Sequence, residues 1–379
     1  MKATPISQAA PLQTTRQVGC TRFAPAGCPG RVLAAVVFSM LVSWVPQSAW
    51  AAEDVVYVRP RGRAGAEIRL EGEIVHWDRG GIKIRLRPSG IVKEIPADEV
   101  ARCQLRVVAA QERADKLFDE GKHQEALSSY RAARDQEQRE WLRARIGAQM
   151  VWCQRMLDEP VEAAETFLSL AVRDSHSLGF SAIPLKWTQA PTEEAVRVKA
   201  RAWAEARRDA PAAVLLSASY LLSGADLAES RRKLENLTTH PDQGISGLAR
   251  AQLWRLEIGQ AKGEELRRWR RFVEQMPTDL RGGPYFVIGE ACQAAGERVD
   301  AAMAFLWLPL VYKNDEQLAA EAGFRAAELL NEAGRTAEAQ ALYRDLSERF
   351  GRTSFGLDAR SRLRSSRDTR SGSDRPRLD

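Results

Sequence analysis

Two hydrophobic rhythms divide the chain. Between Val55 and Arg106 apolar residues alternate with charged ones, as in AEIRLEGEIVHW and IKIRLRPSGIVKEI, where Ile68, Leu70, Ile82, Ile84 and Leu86 hold every second place. A period of two sets such side chains on one face of half-buried strands. Gly80-Gly81 and Pro88-Ser89-Gly90 break the runs at hairpin distances, and Pro96-Ala97-Asp98 starts a turn before Val100. Residues 52–106 are therefore expected to form a small all-β domain of four or five strands. Closing it into a barrel would remove the exposed edges of an open sheet.

From Ala109 to about Leu363 the rhythm becomes helical, with Ala and Leu recurring at i, i+3 and i+4 as in AAEAGFRAAELL, and single Gly residues or short polar turns between the runs. Two segments depart from it. Residues 173–191, RDSHSLGFSAIPLKWTQAP, have two Pro and no helical spacing, yet contain Ile183, Leu185 and Trp187. This irregular insertion reads either as a docking segment over a groove or as a packed insertion capping the first hairpins. Residues 364–379, rich in Arg and Ser, are expected to be a disordered basic tail.

A third apolar run lies near the start, where Arg31 precedes VLAAVVFSMLVSWV and Pro46, followed by QSAWAAED. This is the layout of a signal peptide over residues 1–51 with cleavage after Ala51. The run is shorter than the roughly 20 residues of a comfortable membrane span. Retention as an uncleaved anchor is the alternative, because the segment before Arg31 is long. Either way the chain is expected outside the cytoplasm, in the periplasm or cell envelope.

Removing that segment changes the charge. The whole chain has 56 Lys and Arg against 50 Asp and Glu, and Lys2, Arg16, Arg22 and Arg31 leave with it, so 52 basic residues face 50 acidic ones. The last 20 residues hold seven Arg and three Asp, leaving 45 against 47 for residues 52–359. A near-neutral body argues against nucleic acid as a partner. Cys103, Cys153 and Cys292, the three cysteines past residue 51, form no disulfide framework by spacing.

The helical region repeats itself. Sliding LLNEAGRTAEAQALYRDLSERF back by 38 residues sets Gly334 on Gly296, Ala339 on Ala301, Tyr343 on Phe305, Phe324 on Phe286, Glu328 on Glu290 and Asn331 on Gln293. ADKLFDEGKHQEALSSYRAA carries the same spacing at Ala114, Gly121, Ala126, Tyr130 and Ala133. Looser copies centre on Gly224 and on Trp269, Phe272 and Pro277, and Trp141 to Ala171 is counted from its neighbours, giving about six hairpins. Small residues let two helices approach, Gly accepts the backbone that ends a helix, and the aromatic fills the gap between hairpins.

On these residues the stretch from Ala109 to Leu363 resembles tetratricopeptide repeats, and LEGEIVHWDRGGIKIRL resembles the small SH3-like or Sm-like barrels. The last unit, with GRTSFGLDARSRL after it, is similar to the repeats of exported envelope proteins. The resemblance implies a mainly α protein, an α-solenoid of helical hairpins behind a small β-barrel, acting without catalysis. It further implies a concave groove lined by first-helix residues, here Phe286, Glu290, Gln293, Phe324, Glu328 and Asn331. That mixed apolar and acidic strip suits a partner segment bearing Lys or Arg.

Motifs for chemistry are absent. His76, His123, His176 and His240 lack metal-ligand spacing, and there is no phosphate-binding Gly loop or nucleophile elbow. No cofactor, metal or catalytic residue is expected. The expected function is a scaffold or adaptor holding a protein or peptide, with association to a membrane surface or cell wall. The alternative is binding of a ligand, glycan or peptidoglycan through the barrel.

Overall fold

A computed structural model describes residues 53–61, 67–170, 174–207 and 209–373, with side chains through Ser365. The apolar run, the signal and Ala51 lie outside the described residues. Two compact units divide after Arg106.

The first unit is a five-stranded antiparallel sheet of β1 (Asp54–Val58), β2 (Ile68–Trp77), β3 (Gly81–Leu86), β4 (Val92–Pro96) and β5 (Val100–Gln104), in the order β4-β3-β2-β1-β5. A three-residue 3-10 turn, Ala97–Glu99, joins the last two strands. Val56, Val58, Ile74, Ile82, Ile84 and Ile95 are buried, with Ile74 opposite Ile84 and Ile82 opposite Ile95 across the strands. The alternation expected of Ile82 and Ile84 is present, whereas Ile68, Leu70 and Leu86 are at most half-buried. Ile68 opens the longest strand, at an end the core does not cover. One buried charge ties the unit together: the Asp54 carboxylate accepts the amides of Ile74 at 3.0 Å and Arg106 at 2.7 Å. Paired to two N–H groups, a buried carboxylate is tolerated.

The second unit is helical: α1 (Ala109–Asp119), α2 (His123–Gln136), α3 (Glu140–Met156), α4 (Pro160–Ser169), α5 (Glu194–Ala206), α6 (Pro211–Tyr220), α7 (Leu227–Leu237), α8 (Gln243–Trp254), α9 (Glu264–Gln275), α10 (Gly282–Ala294), α11 (Arg298–Leu310), α12 (Glu316–Glu332), α13 (Thr336–Arg349) and α14 (Ser354–Ser373). Packing is mostly between helices adjacent in sequence. Five pairs follow the order of the expected hairpins, α1 with α2, α3 with α4, α6 with α7, α10 with α11 and α12 with α13, whereas α8 and α9 pack chiefly on α7 and α10 and meet through Trp254 on Trp269 and Phe272. Helix α5 precedes the third pair and α14 follows the last.

Turn chemistry sets the pairs. Gly121, Gly296 and Gly334 close α1, α10 and α12 with φ of 71°, 79° and 78°. At the same place after α3 stands Asp158, with φ of 57°. Asp tolerates this left-handed conformation better than most side chains. Counting on from it, Ala163 and Phe167 are buried five and nine residues later, as Ala301 and Phe305 are after Gly296. The α3–α4 pair therefore has the same register, hidden in the sequence by one Gly-to-Asp exchange.

The two ends of the helical unit touch. Arg352, after α13, donates to the Glu120 carbonyl after α1 at 3.1 Å, and Arg155 of α3 forms an ion pair with Asp315 at the start of α12. Helix α14 runs to Ser373, into the residues expected to be a basic tail, and Phe355, Ala359 and Leu363 pack its first turns. Residues 374–379 lie outside the described residues. Among the described residues, no helix is long and apolar enough to cross a membrane.

Candidate functional site

The six groove candidates are largely occupied by the fold itself. Phe286 is completely buried, edge-on to Phe305 at 5.4 Å, and so is core and not a partner surface. Phe324 packs between Tyr343 and Phe355. The two acids serve an internal device that recurs from pair to pair. Six residues before the turn stand Asp115, Glu290 and Glu328; nine after it stand Tyr130, Phe305 and Tyr343. The hydroxyl of Tyr130 donates to Asp115 at 2.6 Å and that of Tyr343 to Glu328, which also accepts from Arg362 at 2.9 Å.

In the middle unit Phe305 has no hydroxyl, and Glu290 takes the Arg325 guanidinium instead, at 2.8 Å. That guanidinium also lies over the Phe286 and Phe305 rings. Burial outweighs the ion pair and raises the Glu290 carboxyl above its ordinary value. Burial likewise raises Glu321, which the same arginine approaches at 3.5 Å. Of the six, Gln293 and Asn331 remain exposed. An open acidic strip for Lys or Arg is thus not present, since two of its acids are already paired inside the molecule.

The irregular insertion accounts for much of the rest. Residues 174–192 begin against α3 and α4, where Phe180 meets Phe167 edge-on at 6.2 Å, and continue against α6, α8 and α10. Phe180, Ala182, Ile183, Leu185 and Trp187 are buried. The Trp187 indole fills the space where Gly283 would carry a Cβ, 1.9 Å from the nearest ring atom, so only glycine fits there. Main-chain groups of the strap are held by side chains from the helices. Tyr220 donates to the Pro184 carbonyl at 2.9 Å, Gln252 to that of Lys186 at 3.1 Å and Arg255 to that of Thr188 at 3.0 Å. Asp242, which caps α8, accepts the Ser175 amide at 2.7 Å.

Arg255 is the centre of this network, donating also to the Ser219 carbonyl at 2.8 Å and Gln252 at 2.6 Å. Burial lowers its guanidinium to about 10, which leaves it a cation at neutral pH. Of the two expectations for residues 173–191, the packed insertion is closer: residues 174–191 pack on the second pair at Phe180 and extend over α6, α8 and α10 as well. The segment is an internal strap on the first-helix side.

Comparison with known families, curated proteins and solved structures finds no match. The site must be read from its own chemistry. Among the described residues no group of three His, Cys, Asp or Glu side chains is placed to hold a metal. Cys103, Cys153 and Cys292 are buried and form no disulfide. Burial pushes Cys153 up to about 12, far from a reactive thiolate. His123 is buried against Phe118, and burial with the nearby Arg352 cation lowers its pKa, keeping it neutral.

One surface escaped the sequence reading. On α11, Val299, Met303, Trp307 and Leu310, with Val311 just beyond, are exposed. They fall at helical spacing on one face, while Ala301, Phe305 and Leu308 fill the other. Trp307 stacks on Tyr285 and Tyr312, which fixes its ring. Comparing outward positions between repeats, and not only the matching inward ones, is the sequence signal that would have found it.

Proposed function

We propose that the protein is a non-catalytic interaction scaffold of the extracytoplasmic cell envelope, built as a tetratricopeptide-like solenoid behind a small β-barrel. The observation that carries this reading is the recurrence of the turn, Ala and aromatic positions in four pairs, while outward positions vary freely. Such an array stacks by nearest-neighbour contacts and leaves long surfaces available to partners. With the strap over α6, α8 and α10, a partner engages outward second-helix faces and the uncovered Gln293 and Asn331.

Barrel closure is supported by chain geometry. Strands β4 and β5 are opposite edges of a five-stranded sheet, so in a flat sheet they would stand about 19 Å apart at roughly 4.8 Å per strand. Only the turn Ala97–Glu99 joins them, and a 3-10 turn advances about 2 Å per residue. The sheet must curl until its edges approach.

The test is in-cell cross-linking of the full chain followed by mass spectrometry. Expected are cross-links from α10 to α13 to extracytoplasmic proteins. Cross-links to cytoplasmic proteins alone would overturn the localisation, and an absence of protein cross-links would overturn the scaffold reading.

A further inference from the structure

The outward face of α11 is unlike its counterparts. Counting from the turn glycine, Val299, Met303, Leu306, Trp307, Leu310 and Val311 correspond to Ala337, Ala341, Arg344, Asp345, Glu348 and Arg349 on α13. On α2 the same places hold Gln124, Ser128, Arg131, Ala132, Asp135 and Gln136. Inward positions keep their chemistry across the three helices, and outward ones are polar or small except on α11. Between Asp300 and Lys313, from α11 into the turn after it, the chain has no charged side chain. Repeat architecture does not require that stripe.

We propose that α11 pairs antiparallel with α11 of a second copy of this chain, making the protein a two-fold dimer. Three observations favour this occupant. The first is spacing: Val299, Met303, Leu306 and Leu310 follow one another at intervals of four, three and four, the seam along which two helices pack side by side. The second is area. Val299, Met303, Trp307, Leu310 and Val311 are exposed by 48, 61, 38, 63 and 50 %. Side chains of this size so exposed present roughly 500 Å² of apolar surface, near the apolar share of the about 800 Å² that one partner gives a standard interface.

The third is charge. Glu297, Arg298 and Asp300 stand at the N-terminal end of the stripe with a net negative charge, Asp300 already pairing with Arg270 at 2.9 Å, and Lys313 follows its C-terminal end. Reversal about the two-fold axis sets Met303 against Leu310 of the second copy and Leu306 against its Trp307, and brings the acidic end of one stripe towards the end of the other that Lys313 follows. Each contact then occurs twice, as an isologous interface requires. The helix dipoles oppose one another, which favours the same arrangement. The inference does not depend on the scaffold reading.

Sedimentation equilibrium of the purified chain tests it. The wild type is expected to be a dimer at about 10 μM, while Met303→Glu with Leu310→Glu loosens association at least 100-fold. Both positions are exposed, so the variant's circular dichroism and unfolding midpoint should match the wild type. Orientation is read separately: Met303→Cys with Leu310→Cys should cross-link between copies on mild oxidation, and neither single Cys variant should. A wild type that remains monomeric at about 100 μM overturns the proposal, as does a dimer indifferent to the two glutamates. Anionic phosphatidylserine vesicles provide the rival arm. Vesicle binding by a monomeric wild type, lost in the Glu variant, assigns the stripe to a membrane surface instead.

Discussion

Helices α11 and α13 stand 38 residues apart in one register, and they agree on one side and disagree on the other. Ala301, Phe305 and Leu308 of α11 are buried, as are Ala339, Tyr343 and Leu346 of α13. Outward, α11 shows Met303, Trp307 and Leu310, where α13 shows Ala341, Asp345 and Glu348. The inward positions answer to packing against neighbouring helices, which punishes change, and the outward ones answer only to what lies beyond the molecule. In a repeat array, function is therefore best sought where equivalent positions disagree.

The largest expected effect falls on the shared side. Phe305→Ala and Tyr343→Ala should each lower unfolding free energy by about 3–5 kcal/mol in denaturant titrations. A cost near zero for either would break the equivalence of the two pairs. Tyr343→Phe should cost less, about 1–2 kcal/mol, because it removes only the hydroxyl from the Glu328 carboxylate. Phe305 already shows that the pair tolerates that loss when an arginine takes the acid.

Next comes the strap, which sharpens the comparison on the first-helix side. It places Trp187 over Gly283 of α10, whereas the matching residue of α12 is Glu321. Arg255→Ala would leave the carbonyls of Thr188 and Ser219 without this donor, and about 3 kcal/mol of destabilisation is expected. Hydrogen exchange should show residues 174–192 opening before α10. If the strap keeps full protection, Arg255 does not hold it.

A smaller effect is pH-dependent. Burial raises the Glu290 carboxyl from 4.5, so between that value and the raised one the folded state binds more proton than the unfolded chain. Stability from this group is full at acid pH and lost as pH rises through that window. Wild type should therefore lose stability relative to Glu290→Gln as pH rises above the ordinary carboxyl range. A constant difference in denaturation midpoint across that window would show that the Arg325 pair offsets the burial.

The smallest stability effect is expected outside. Ala341→Met with Asp345→Trp and Glu348→Leu, which copies the α11 stripe onto α13, should change stability by no more than about 0.5 kcal/mol per site. Sedimentation velocity should nonetheless show new concentration-dependent association. Unchanged sedimentation would mean that exposed apolar side chains at these positions do not suffice for pairing.

Much of the fold was legible because periodicity reports local burial directly. Strand alternation at Ile82 and Ile84 and the turn, Ala and aromatic spacing after Gly296 and Gly334 translate into the elements observed. The α3–α4 pair was less legible because Asp158 does a glycine's work at its turn. The candidate site was legible in position but not in role. Glu290 and Glu328 were recognisable as repeated acids, yet whether a carboxylate faces a partner or a neighbouring hydroxyl depends on what stands across from it.

By itself the sequence determined the order of elements, the division near Arg106 and the register of the hairpins, since these follow from local spacing, turn residues and which side chains avoid water. Only the tertiary structure decided that residues 174–192 run from α3 and α4 along α6, α8 and α10, and that Arg352 and Asp315 bring the two ends of the helical unit together. Those contacts join residues far apart in the chain, and their energy depends on matching shapes and unpaired polar groups that no local pattern encodes.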